Sequence, residues 1–164
     1  KSWSFWREGR SDVAFAEAVL NDAAERWPLD RSRVFISGFS YGSAMAWAMA
    51  CDSGERYAGF LGVAGILSSI DRRECPTGPF SLRQVHGEKD TVMRPPWGTN
   101  GEAWQVALGL AGCRSSTTSK VERYRRERWD DCAGGRTVQL DIHSGGHWIP
   151  KGWIAQQLSD LLKR

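Results

Sequence analysis

The shortages in this chain are its first guide. Four cysteines are spread over 164 residues, with no C-x-x-C pair among them, which argues against a zinc site or a dithiol redox motif. A net charge of only +3 requires neither nucleic acid nor an acidic membrane as partner. There are no internal repeats and no low-complexity linker, and no stretch reads as a signal peptide or a membrane span. Histidine occurs only three times, so any imidazole chemistry has few candidates. The chain is too short for two ordinary domains and long enough for one with a real core, so residues 1–164 are expected to form a single domain.

Composition is that of a folded protein, 41% hydrophobic and 25% charged. The basic segment KVERYRRER (residues 120–128) is broken by glutamates and followed directly by WDD. It reads as a solvated face or strand rather than a polyanion site. Nine tryptophans are a high count. Trp3, Trp6, Trp97, Trp148 and Trp153 lie in or near loop-like segments, where indoles can stack on a sugar or aromatic substrate, although packing is the commoner role. The even cysteine set, Cys51, Cys75, Cys113 and Cys132, suits two disulfides and hence a secreted or periplasmic protein; four buried thiols are the alternative. Spacing alone allows three connectivities. The sequential one, Cys51–Cys75 and Cys113–Cys132, is preferred because each bridge closes a moderate loop.

Along the chain, residues 11–27 carry apolar side chains at helical spacing behind a candidate N-cap, Ser11, and PLD ends that helix. RVFIS reads as a short buried strand and YGSAMAWAMAC as a helix packed through small residues. YAGFLGVAGI and SLRQVHG are further apolar runs, separated by the loop DRRECPTGP. NGEAWQVALGLAGC is a helix. Val138, Leu140 and Ile142 alternate along a last strand, and WIAQQLSDLLKR closes the chain as an amphipathic helix. Strands alternating with helices predict a three-layer α/β domain with a mostly parallel sheet, whose sites lie beyond the carboxyl ends of the strands.

Gly38-Phe39-Ser40-Tyr41-Gly42 fits G-x-S-x-G with a strand before it and a helix after. Such a turn lifts a serine Oγ clear of the sheet, and the flanking glycines are expected to avoid collisions between any Cβ and the neighbouring backbone. The following helix N-terminus offers N–H groups to an oxyanion, Tyr41 first among them. Of the histidines, His147 in SGGHW follows the last strand, where it can reach Ser40. His143 reads as a strand residue, and His86 as a buttress. Asp90 in HGEKDTVM lies just past the third strand, where an acid can fix the imidazole tautomer. Asp71 is the weaker alternative, and Asp130 and Asp131 read as solvated. The order Ser40, Asp90, His147 is that of the α/β-hydrolase fold.

VFISGFSYGSAMAWAMAC, VHGEKDTVM and SGGHWIP together resemble the motif blocks of the secreted esterase family that contains polyhydroxybutyrate depolymerase-like and feruloyl esterase-like enzymes. The resemblance runs from about Asp12 to the C-terminus. It implies a serine carboxylesterase with Ser40, Asp90 and His147 as its triad, two disulfides, and no metal or organic cofactor. The implied partner is an ester substrate, polysaccharide-linked (feruloyl or acetyl) or polymeric, with Tyr41, Trp97 and Trp148 as candidate pocket residues. The pattern departs from the family in one respect. No H-G block precedes Ser40 to supply a second oxyanion donor, and nothing before Ser11 reads as a strand to flank RVFIS. The chain is therefore expected to be the C-terminal portion of a longer hydrolase, completed by a preceding segment or another chain. A degenerate hydrolase acting as a binding unit, and a peptidase or thioesterase using the same triad, are the rival expectations.

Overall fold

Four apolar strands and four helices emerge where the periodicity places them, joined by a hairpin that the sequence hides. In this computed structural model, Trp3, residues 11–66, Cys75, residues 78–94 and residues 101–163 are described. In chain order the elements are α1 (Ser11–Arg26), β1 (Phe35–Phe39), α2 (Tyr41–Ser53), β2 (Gly59–Val63), β3 (Leu82–Gly87), α3 (Gly101–Ala111), β4 (Thr117–Val121), β5 (Tyr124–Trp129), β6 (Val138–His143) and α4 (Trp153–Leu162). Ser11 lies within helical α1 rather than capping it, and Pro28 follows the helix end as expected.

The strands form a six-stranded sheet of order β1-β2-β3-β6-β5-β4. The first four are mutually parallel, and β5 and β4 continue the sheet antiparallel. The basic segment thus lies in β4, β5 and the turn between them. A strand was one of the two readings of this segment, but the hairpin was not expected, because Arg126 and Arg128 meet Asp141 and Gln139 of β6 rather than apolar core. Among the described residues β1 has one neighbour, β2, and its residues are only partly covered, whereas β2 and β3 are buried throughout.

Alternation along the strands sends side chains to two different layers. Phe60, Leu82, Val138, Leu140 and Ile142 face α1, α2 and α3. Helix α2 is buried from Ser43 through Cys51 without interruption, which its alanines permit by letting sheet and helices approach closely. Leu61, Val63 and Val85 face α4, with Trp153 among them. Trp153 is 1% exposed, so it packs the core and does not await a substrate. Helix α1 leaves Phe15 and Val19, one turn apart, 59% and 51% exposed. No helix of the described residues is long and apolar enough to cross a membrane.

Beneath α4 the sheet carries polar rather than apolar side chains. Asp141 is fully buried and accepts two hydrogen bonds from Arg126, at 2.7 and 2.8 Å, and one from the Trp153 indole at 2.7 Å. Gln139 bridges Asp141 and Gln157 at 3.0 and 2.9 Å. Arg83 donates to Gln157 at 2.7 Å, and burial pulls its pKa down to about 10. These bonds offset part of the desolvation cost, while Arg83 Nε and Nη2 and Gln157 Nε2 stay buried without a partner.

Cys51–Cys75 and Cys113–Cys132 are the two disulfides, with partners 24 and 19 residues apart. The first ties the end of α2 to Cys75, and the second ties the end of α3 to the approach of β6. Non-reducing peptide mapping should return these two pairs, and reduction should lower the melting temperature, each bridge contributing ~2–4 kcal/mol. Four alkylatable thiols in protein purified without reductant would contradict this pairing.

Candidate active site

Ser40 stands between the end of β1 and the start of α2 with φ 55° and ψ −120°, a conformation that non-glycine residues seldom hold. Its N–H donates to the Val63 carbonyl at 2.9 Å and its own carbonyl accepts from Ala44 N–H at 3.0 Å. The turn is tight because backbone meets backbone: a Cβ at Gly38 would overlap the Gly42 carbonyl. The same explanation does not hold for Gly42. A Cβ there would find Trp3 Nε1 at 4.0 Å as its nearest neighbour. Only Gly38 is therefore required to be glycine by close backbone contact, since it is the Gly42 carbonyl, not its Cα hydrogen, that faces inward.

Asp90 lies in the turn after β3. Its Oδ1 accepts from the Val92 and Met93 N–H groups, each at 2.9 Å. Burial works to raise the Asp90 pKa, but the hydrogen bonds from His147, Met93 and Val92 outweigh it and hold the carboxyl below its ordinary value. His147 arrives on the loop after β6. Its Nδ1 lies 2.8 Å from Asp90 Oδ2 and its Nε2 2.9 Å from Ser40 Oγ. A carboxylate only accepts, so Nδ1 carries the proton and Nε2 is free to accept from the serine hydroxyl. The Phe39 ring lies against the imidazole, centroids 4.8 Å apart.

The two loops are also bound to each other. Glu88 N–H donates to the His143 carbonyl at 2.8 Å and Lys89 N–H to the Gly145 carbonyl at 3.0 Å. Gly87 lets them touch, because a Cβ there would overlap the Gly145 and Gly146 carbonyls. His143 closes the same loop by accepting from Gly145 N–H at 3.1 Å. Burial lowers its pKa, with help from His86 and Arg123. All three histidines thus converge on one corner of the sheet.

The remaining candidates separate. Tyr41 begins α2 and is 55% exposed. Trp148 is 40% exposed, with its ring 4.5 Å from that of His143 and the Arg123 guanidinium 5.9 Å from its centre. Trp97, Trp6 and Asp71 lie outside the described residues. Asp130 takes Arg128 at 2.8 Å, and Asp131 accepts from Ser115, so both belong to surface turns. Among the described residues no group of three His, Cys, Asp or Glu side chains is placed to hold a metal ion. The contact that sequence reasoning left unspecified is His86, four residues before Asp90, whose Nε2 lies 3.3 Å from Asp90 Oδ2.

A mostly parallel sheet with helices on both faces, and a strained serine between its first strand and second helix, define the α/β-hydrolase fold. The sequence profile described as phospholipase/carboxylesterase matches residues 10–104, more than half of the chain, and the chain belongs to that family. The protein named "Putative esterase NocK", from Nocardia uniformis subsp. tsuyamanensis, is 30% identical over 87% of this chain and 49% of its own length. Feruloyl esterase D from Neurospora crassa is 25% identical over 83% of this chain and 47% of its own. The chain thus spans about half the length of these relatives. The fold is shared with an acetyl xylan esterase from Aspergillus awamori, at a TM-score of 0.67 and 16% identity, over 98% of this chain and 72% of that one.

Two measurements follow from this geometry. Gly38→Ala should cost at least ~1–3 kcal/mol by forcing backbone apart, whereas Gly42→Ala should leave the melting temperature unchanged; equal costs would refute the asymmetry. The Asp90 pKa lies below its ordinary 3.8, so the stability it contributes is present above that pH and is lost as pH falls through the folded value. Denaturant titrations of wild type and Asp90→Asn should therefore converge as pH drops below about 4.

Proposed function

We propose that this chain is the catalytic unit of a serine carboxylesterase. The carrying observation is the unbroken line Asp90 Oδ2–His147–Ser40 Oγ at 2.8 and 2.9 Å, each residue at the carboxyl end of a different parallel strand. His147 Nε2 takes the hydroxyl proton as Ser40 Oγ attacks the ester carbonyl. Asp90 stabilises the imidazolium. The tetrahedral oxyanion is held by the Tyr41 N–H at the start of α2. Collapse expels the alcohol, which leaves with the proton from His147, and the acyl group stays on Ser40. Water, deprotonated by the same imidazole, then releases the acid and restores the serine.

Relatives bearing esterase names favour an ester over a peptide or thioester substrate. Exposed Tyr41 and Trp148, next in sequence to Ser40 and His147, suit an aromatic or sugar-linked ester, such as a feruloyl or acetyl polysaccharide, and an apolar polyester is the polymeric alternative. The two disulfides support a secreted or periplasmic location.

The partly covered β1 favours a second element of the proposal. Among the described residues β1 is paired on one side only, and a parallel strand bare on the other exposes unpaired backbone and apolar surface. We propose that a strand from a further segment or another chain pairs with β1 and carries the second oxyanion donor. The described unit alone should then self-associate and turn over slowly, by on the order of 10²–10³. A monodisperse monomer with protected β1 amides in hydrogen exchange would contradict this.

Ser40→Ala and His147→Ala should each reduce hydrolysis of a short p-nitrophenyl ester by ~10⁴ or more with folding intact, and Asp90→Asn should be severe as well. A fluorophosphonate should label Ser40 alone. Turnover in Ser40→Ala within about tenfold of wild type would remove the triad reading.

A further inference from the structure

Asp90 faces a second imidazole. His86, on β3, is fully buried, with Nε2 2.7 Å from the Met93 carbonyl and 3.3 Å from Asp90 Oδ2. Its protonation can be deduced from groups whose roles are fixed. The Trp47 indole of α2 can only donate, and does so to Gln84 Oε1 at 3.2 Å. That turns the Gln84 amide nitrogen toward the Gly65 carbonyl at 2.7 Å and His86 Nδ1 at 3.4 Å. Nδ1 must then accept, so the proton of the neutral ring sits on Nε2, where the Met93 carbonyl accepts it at 2.7 Å and Asp90 Oδ2 lies within reach at 3.3 Å. A second proton would set Nδ1–H against the Gln84 N–H. Burial opposes that proton too, lowering the His86 pKa.

We propose that His86 is a positioning residue of the triad: held neutral as the Nε2–H tautomer by Gln84, it gives Asp90 Oδ2 a donor besides His147 and ties the carboxylate to the far end of its own turn. The inference rests on the triad reading above. An uncharged donor matters because the groups facing His86 are Asp90, His147 and His143. A cation there would compete with the imidazolium that His147 becomes during turnover. The chain from Trp47 through Gln84 and His86 also links the helix that begins at the nucleophile to the acid.

Long-range ¹H–¹⁵N spectra of the labelled protein test the tautomer without reference to activity. His86 should carry its proton on Nε2 and not titrate between about pH 5 and 8; a ring that titrates there, or protonates on Nδ1, overturns the proposal. His86→Leu should lower kcat on the order of 10–10² with KM unchanged, and should move the His147 Nδ1 proton further downfield as Asp90 loses its competing donor. His86→Gln, which can present an N–H near the Nε2 position, should recover most of kcat. Wild-type kcat in His86→Leu while Ser40→Ala is inactive overturns this inference alone. Loss of kcat with an unmoved His147 proton and no recovery in His86→Gln does the same. Turnover surviving Ser40→Ala overturns the triad and this inference together.

Discussion

With φ at 55° and ψ at −120°, Ser40 holds a backbone conformation that costs on the order of 1–3 kcal/mol, and it stays there because the turn is clamped from outside. The Val63 carbonyl takes its N–H, and the first turn of α2 takes its carbonyl. Gly38 lies against the Gly42 carbonyl, and Gly65 against that of Ser40, with room for no side chain. Behind the turn, α2 is buried along nine consecutive residues and cannot shift to relieve the strain. The alanines of α2 and the glycines of the turn therefore serve one end, a serine oxygen fixed above the sheet.

Asp90 and His147 are positioned by a different device. Asp90 and His147 lie far apart in sequence, yet their loops share backbone hydrogen bonds and meet face to face at Gly87. The two side chains are thus held to each other as well as to Ser40.

Much of this was legible in the residues. The strand, the turn serine and the small-residue helix declare themselves together, and the runs after them gave β2, β3, β6, α3 and α4 close to their observed bounds. Asp90 and His147 could be singled out because each follows a strand end, and the structure brings both beside Ser40. The β4–β5 hairpin could not be singled out, because its inward-facing Arg126 and Arg128 are satisfied by Asp141, Gln139 and Asp130 across space and so carry no apolar alternation. The unequal duties of Gly38 and Gly42 were equally invisible, since the motif does not say which way each Cα hydrogen points. His86 sits one helical-like step before Asp90 in sequence, but only the packed sheet shows that its ring, not its backbone, meets the acid.

The polar set beneath α4 has a consequence for how this chain can change. Asp141 holds Arg126 and the Trp153 indole, and the Gln157 carbonyl oxygen takes both Arg83 and Gln139, so losing one of these partners strands a charge or an amide in the interior, where that costs several kcal/mol. Replacing the whole set by apolar residues of matching volume need not cost anything. The six positions are therefore a fitness valley with high ground on both sides: single steps are penalised, and the set must drift as a block or not at all. Since α4 begins just after the His147 loop, that block also keeps the helix from rotating away from the histidine it follows.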